Sequence, residues 1–249
     1  AELHQGKFLE YSNKGNEIAF GTIGDASTSE GLFWEAINAA GVLQVPMLMS
    51  VWDDGHGISV PKKYQTTKES ISEILKGFQR EEGGKGFEIF KTKGWDYAHL
   101  CETYEKAAKV CREEHVPVLV HVEEVTQPQG HSTSGSHERY KSKERLQWEL
   151  DFDCVKKMRE FILQNALADE STLNAIEEDA KNAVRTAQKT AWTDYLNPIK
   201  SEVAEVSALF DELSNGVNGS SITAIKTELN SIKEPIRREI HNAVKKVLR

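Results

Sequence analysis

Apolar residues fall into two regimes along the chain. Up to about residue 141 they form short runs separated by amphipathic stretches. EIAFGTI (17 to 23), VPMLMSVW (45 to 52), FEIFKTK (87 to 93) and VLVHVEEV (118 to 125) have the length and composition of strands, and the last is the most β-branched run of the chain. Between them, SEGLFWEAINAAGV (29 to 42), TTKESISEILKGFQR (66 to 80) and WDYAHLCETYEKAAKVCREEH (95 to 115) repeat apolar positions at helical spacing. Ser29 is the expected cap of the first helix and Thr67 of the second. Strands alternating with helices predict an α/β fold, a parallel sheet flanked by helices with right-handed crossovers, and such sheets bind ligands beyond the carboxyl ends of their strands.

From residue 142 the pattern is helical only. Two long charged amphipathic segments follow, the second expected to break at Asn197-Pro198. SNGVNGSS (214 to 221) reads as a turn or linker, and a last helix is expected to kink or restart at Pro235. The chain thus divides into an α/β module over 1–141 and an all-helical C-terminal region over 142–249.

Composition narrows the classes of function. The chain has 249 residues, 39% hydrophobic and 28% charged, enough for one sizeable core. A formal net charge of -8 argues against a nucleic-acid surface, which needs clustered Lys and Arg. No stretch approaches the roughly eighteen apolar residues of a membrane span, and AELHQGKFLEYSNKG has no signal-peptide pattern, so the expectation is a cytoplasmic protein without membrane contact. Cys101, Cys111 and Cys154 lack CxxC spacing and are expected to be reduced thiols.

Chemistry gathers at two strand ends. GTIGDASTSEG (21 to 31) places Asp25 between Gly24 and Ala26, with Ser27, Thr28 and Ser29 offering hydroxyls and N–H groups where a helix dipole favours an anion. SVWDDGHGIS (50 to 59) places Asp53 and Asp54 before Gly55, His56 and Gly57, whose backbone freedom can aim a carbonyl at a metal. A hard divalent cation such as magnesium takes one or two carboxylates, backbone carbonyls and a phosphate-bearing partner. Each loop has a plainer explanation: Asp25 as a helix-start residue, and Asp53-Asp54-Gly55 as a turn. The pairing of the two favours the metal.

Gly24-Asp25-Ala26, with Asp54 lying 29 positions after Asp25, resembles the thiamine-diphosphate motif that opens Gly-Asp-Gly and closes Asn-Asn. GDASTSEGLFWEAINAAGVLQVPMLMSVWDDGHGIS, KGWD (93 to 96) and QGHSTS (129 to 134) resemble the α subunit of the decarboxylase component of 2-oxoacid dehydrogenases, most closely the branched-chain group because of the HSTS loop. The resemblance implies a thiamine-diphosphate-binding fold. It implies Asp25 and the Asp54 side chain as magnesium ligands with the His56 carbonyl, and Gly24, Ala26, Ser27 and Ile58 as further cofactor contacts. His131 matches the active-site histidine of the loop over the cofactor; by side-chain chemistry alone His121 and His137 have equal claims. Ser132 stands where mammalian relatives carry a regulatory phosphorylation site.

The same resemblance implies oxidative decarboxylation of a branched-chain 2-oxoacid and acylation of a lipoyl arm. The implied partners are a β subunit or β half, which supplies the carboxylate that activates the cofactor, and a dihydrolipoyl acyltransferase component, in an oligomer. Expressed alone, the chain is expected to be inactive, and it reads as a fragment of a longer α-type or fused α-β polypeptide. Three departures stand out: Asp-Asp for Asn-Asn, Ala26 for the third glycine, and Trp52 where branched-chain relatives have a phosphate-binding arginine. They motivate the alternative of a non-catalytic assembly module with a degenerate site. A transketolase-like enzyme would share the cofactor without the HSTS loop.

Overall fold

A computed structural model describes residues 15–131, 136–216 and 218–249. The described chain divides into two compact units, one ending at Ala168 and the other Asp169–Arg249.

The first unit is built on a four-stranded parallel sheet in the order β1-β2-β6-β5, formed by β1 (Ala19–Gly24), β2 (Met47–Trp52), β5 (Glu88–Lys93) and β6 (Val118–Glu123). The path from β1 to β2 through α1 (Gly31–Leu43) runs one way across the sheet, and that from β5 to β6 through α3 (Tyr97–Lys109) runs the other. Right-handed crossovers therefore put α1 and α3 on opposite faces. Phe33, Ile37 and Ala40 of α1 pack with Val51, Leu119, Ile71, Leu75 and Phe87. On the other face, Ala107 of α3 and Cys111 pack with Leu48, Val118, Val120 and Val122. Covered on both sides, β6 has no polar alternation apart from His121. Order reverses between β2 and β6, which puts the switch-point crevice at their carboxyl ends.

Several local expectations are corrected. The first helix is not capped by Ser29: a single 3-10 turn (Ala26–Ser29) precedes it, Glu30 is its N-cap, and the Ser29 hydroxyl donates to the Gln65 carbonyl at 3.2 Å. The stretch 66 to 80 is not one helix capped by Thr67 but a turn, four helical residues as α2 (Ile71–Ile74) and a second turn. Lys68 and Glu69 are left-handed, which a helix cannot accommodate, while Ile71, Ser72 and Leu75 keep the buried face. Between β2 and α2, the two-residue strands β3 (His56–Gly57) and β4 (Val60–Pro61) form a small hairpin.

The helical sequence from 142 does not mark the boundary between the units. α4 (Lys143–Asp151), capped by Ser142, and α5 (Cys154–Gln164), capped by Asp153, belong to the first. Phe152 packs on Trp95, and Phe161 on Tyr97, with ring centroids 5.1 and 5.3 Å apart. The second unit holds α6 (Glu170–Ser214), α7 (Gly219–Asn230) and α8 (Arg237–Val247). α6 runs through Pro198 without the predicted break. Ile199, Val203 and Phe210 are buried with Leu229, Ile240 and Ala243. At about 1.5–3 kcal/mol per buried side chain, that stripe outweighs the roughly 3 kcal/mol cost of an internal proline. α7 and α8 flank Pro235, where the last helix restarts as expected. Among the described residues no helix is long and apolar enough to cross a membrane.

Candidate functional site

The β1 and β2 strands deliver their acidic loops to the same end of the sheet. The Asp25 N–H donates to the Trp52 carbonyl at 3.0 Å, so the ladder extends one residue past β1. Asp53 N–H donates to Val122 O at 2.9 Å, and Val125 N–H donates to Asp53 O at 3.0 Å, which fixes the second loop against the end of β6. A cavity of about 420 Å³ lies between these ends. Gly24, Asp25, Ala26, Ser27, Asp54, His56, Ile58 and His131 all line it, together with Trp52, Val125 and Gln127. Of the HSTS loop, His131 is exposed at the cavity, and Ser132 lies outside the described residues.

Asp25 is buried, and its Oδ2 has no hydrogen-bond partner among the described residues. Burial, with the charges of Asp53 and Asp54 added, pushes its carboxyl up from 3.8 to about 7. Asp54 is also raised, chiefly by burial, although its Oδ1 accepts the His56 N–H at 3.0 Å. Asp53 is different. Burial alone would raise it, but hydrogen bonds from His121 and Lys62 hold it below its ordinary value. Lys62 Nζ lies 2.7 Å and His121 Nε2 3.0 Å from Asp53 Oδ2, while Oδ1 accepts the Gly55 N–H at 2.8 Å. His121 is fully buried, and its Nδ1 lies 2.8 Å from the Ser72 hydroxyl.

These contacts resolve two of the departures. The additional carboxylate at 53 is neutralised inside the fold by Lys62 and anchors the turn. Ala26 does not have a positive φ, so no glycine is needed there. Gly55 does have one, at +81°, and so does Ile58, at 59°. A β-branched residue in that region is strained by about 1–3 kcal/mol, and here it sits at the cavity wall. Trp52 keeps its consequence: its indole N–H donates to the Ser50 hydroxyl at 2.9 Å, and no Lys or Arg lines the cavity among the described residues.

The residues fit a hard cation. An orphaned buried carboxylate oxygen with a raised pKa is a group that a positive charge would satisfy. No group of three or more His, Cys, Asp or Glu side chains is gathered to hold a metal among the described residues. Two carboxyls, Asp25 and Asp54, line the cavity, and a hard cation takes one or two carboxylates with water, carbonyl and phosphate oxygens completing its shell. His121, an equal candidate with His131 by side-chain chemistry alone, does not line the cavity but lies buried in β6 with its Nε2 against Asp53, a contact that spans 68 positions and that the sequence did not reveal.

A parallel α/β sheet with an acidic cavity at its switch point has the layout of the doubly wound folds, in which that crevice is where ligands bind. The family follows from comparison: a profile described as "Dehydrogenase E1 component" matches residues 5–199, and the chain belongs to that family. It is 26% identical over 180 residues to a pyruvate dehydrogenase E1 component subunit alpha of Rickettsia bellii, covering 72% of this chain and 52% of the relative. It is 27% identical over 184 residues to a 2-oxoisovalerate dehydrogenase subunit alpha 2 of Arabidopsis thaliana, covering 72% and 37%. The chain spans about half the length of the first of these relatives, or less. None of these matches supports the transketolase-like alternative.

Proposed function

We propose that this chain is the diphosphate- and magnesium-holding part of a thiamine-diphosphate-dependent 2-oxoacid dehydrogenase, acting on a branched-chain 2-oxoacid. The observation that carries it is the buried Asp25 carboxyl, one oxygen of which has no partner among the described residues, lining with Asp54 one cavity at the carboxyl ends of β1 and β2, in a chain of the E1 family. Asp25, Asp54 and the His56 carbonyl would hold the cation, and the Ser27 hydroxyl and the backbone of Gly24 and Ala26 would face the diphosphate. Bound there, thiamine diphosphate supplies the carbanion-stabilising chemistry for decarboxylation. His131, which lines the cavity, would move a proton during acyl transfer to a lipoyl arm. The carboxylate that activates the cofactor would come from a β subunit or β half, and a dihydrolipoyl acyltransferase would take the acyl group. Calorimetry of the full-length protein with Mg²⁺ and thiamine diphosphate tests the reading. Magnesium-dependent binding lost in Asp25→Asn is expected, and no binding at millimolar cofactor overturns it. Turnover of 3-methyl-2-oxobutanoate in preference to pyruvate, with the β partner present, tests the substrate class.

One observation favours a second reading. A cavity with two raised carboxyls and no lysine or arginine among its described lining residues is a poor seat for an anion without a metal, as expected of an assembly module with a degenerate site. Asp54→Ala in the intact complex separates the two: loss of activity supports the enzyme, and unchanged activity supports assembly.

A further inference from the structure

Helix α4 and Lys141, just before it, have no assigned part in the cavity, yet together they touch both of its loops. Glu149 is fully buried in the last turns of α4. Its two carboxylate oxygens each accept from Lys141 Nζ at 2.8 Å, and Oε1 also accepts from Arg145 Nε at 2.8 Å. Each cation has a second contact. Arg145 Nη2 donates to the Asp54 carbonyl at 2.8 Å, and Lys141 Nζ donates to the Gln127 carbonyl at 3.2 Å. Asp54 and Gln127 belong to different loops of the one cavity.

The arrangement is directional. The Lys141 side chain is 3% exposed, and its anionic partner in the fold is the Glu149 carboxylate, itself fully buried. The planar guanidinium of Arg145 holds the carboxylate and the loop carbonyl in one fixed geometry. It is seated on Trp148, 4.5 Å from the ring, and Trp148 stacks on Phe152. A Cβ at Gly130, whose φ is +67°, would come within 2.5 Å of His137 Cβ, on the segment that leads into α4. The Tyr140 ring lies 5.7 Å from that of His56.

We propose that Glu149 is a positioning residue for the cavity: by fixing Lys141 and Arg145 it sets the spacing between the Asp54 turn and the Gln127–His131 loop. Its consequence for cofactor affinity rests on the proposed function. Lost contacts of this kind around a metal site cost 10–100-fold in affinity.

Amide hydrogen exchange on the full-length protein, without cofactor, tests the positioning directly. Gly55 and His56 N–H donate to Asp53 and Asp54 side chains, and Gly130 N–H donates to Gln127 O, so all three report on the loops. Glu149→Gln should speed exchange at all three by about tenfold or more, the effect of losing charge-assisted bonds. Arg145→Met should speed Gly55 and His56 only, and Lys141→Met Gly130 only, and these single-loop variants decide the matter if Glu149→Gln does not fold. A purely structural role would speed α4's own amides alone, and that result, or unchanged exchange at both loops, overturns the proposal. Calorimetry with Mg²⁺ and thiamine diphosphate then separates the two claims. Failure of the unmodified protein to bind counts against the proposed function and leaves the exchange result standing; binding equally tight in Glu149→Gln overturns the affinity consequence.

Discussion

Asp25 and Asp53 are both buried at the ends of neighbouring strands, and the charge of Asp53 adds to the burial that raises Asp25. One is raised to about 7 with an oxygen that bonds to nothing among the described residues; the other is lowered, with three donors on its two oxygens. The contrast teaches that an acid's burial does not tell its role. Asp53 has been completed by the fold and is architecture. Asp25 keeps an oxygen that no described residue satisfies, and a strongly perturbed buried carboxyl in a cavity is a candidate for a functional group.

The largest effect should come from the completed residue. Asp53→Ala removes the common acceptor of Lys62, His121 and the Gly55 N–H, and the cost should be about 3 kcal/mol or more, read as the shift in a urea midpoint at unchanged slope. If Asp53→Ala is tolerated within about 0.5 kcal/mol, the distinction between the two aspartates fails. Asp25→Asn should do the reverse: it relieves repulsion from Asp53 and Asp54, and in cation-free buffer at pH 8 it should stabilise the protein by about 1–2 kcal/mol while abolishing magnesium-dependent cofactor binding. Loss of stability in that variant would mean that the ionised carboxylate has a native partner after all. Lys62→Met is expected to be milder, about 1 kcal/mol, because the lysine is 31% exposed and His121 keeps its bond to Asp53.

How far the sequence reached follows the same division. The sheet, its parallel sense and the two acidic strand ends were legible because period-two and helical patterns are local, and because Gly24-Asp25-Ala26 and Asp53-Asp54 carry a resemblance. The eight cofactor-binding positions read from that resemblance line one cavity. What was not legible is what closes each loop. His121 to Asp53 and Arg145 to Asp54 join residues 68 and 91 positions apart, and such pairs leave no periodic trace. Nor does the sequence show which cation answers Asp53; the structure makes it Lys62. Two local rules also lost to packing: the proline break in α6, overridden by the buried stripe through Ile199 and Val203, and the continuous helix at 66 to 80, interrupted by left-handed Lys68 and Glu69.

The smallest and most selective test uses pH, because the two aspartates act with opposite sign. Asp53 is depressed in the folded state, so its stabilisation is present above the unfolded value and fades as pH falls through and below about 4. Asp25 is raised, so between about pH 4 and 7 the folded protein keeps a proton that the unfolded chain has released, and stability falls as pH rises through that window. Other groups titrate in the same range, so the informative quantity is the difference between the unmodified protein and Asp25→Asn. In cation-free buffer that difference should grow from near zero at pH 4 to about 1 kcal/mol or more at pH 8, with the unmodified protein the weaker. Mg²⁺ with thiamine diphosphate should flatten it, since a cation at Asp25 removes the reason for holding the proton. A difference curve that is flat without the cation would place Asp25 with Asp53, as a carboxylate already satisfied by its own fold.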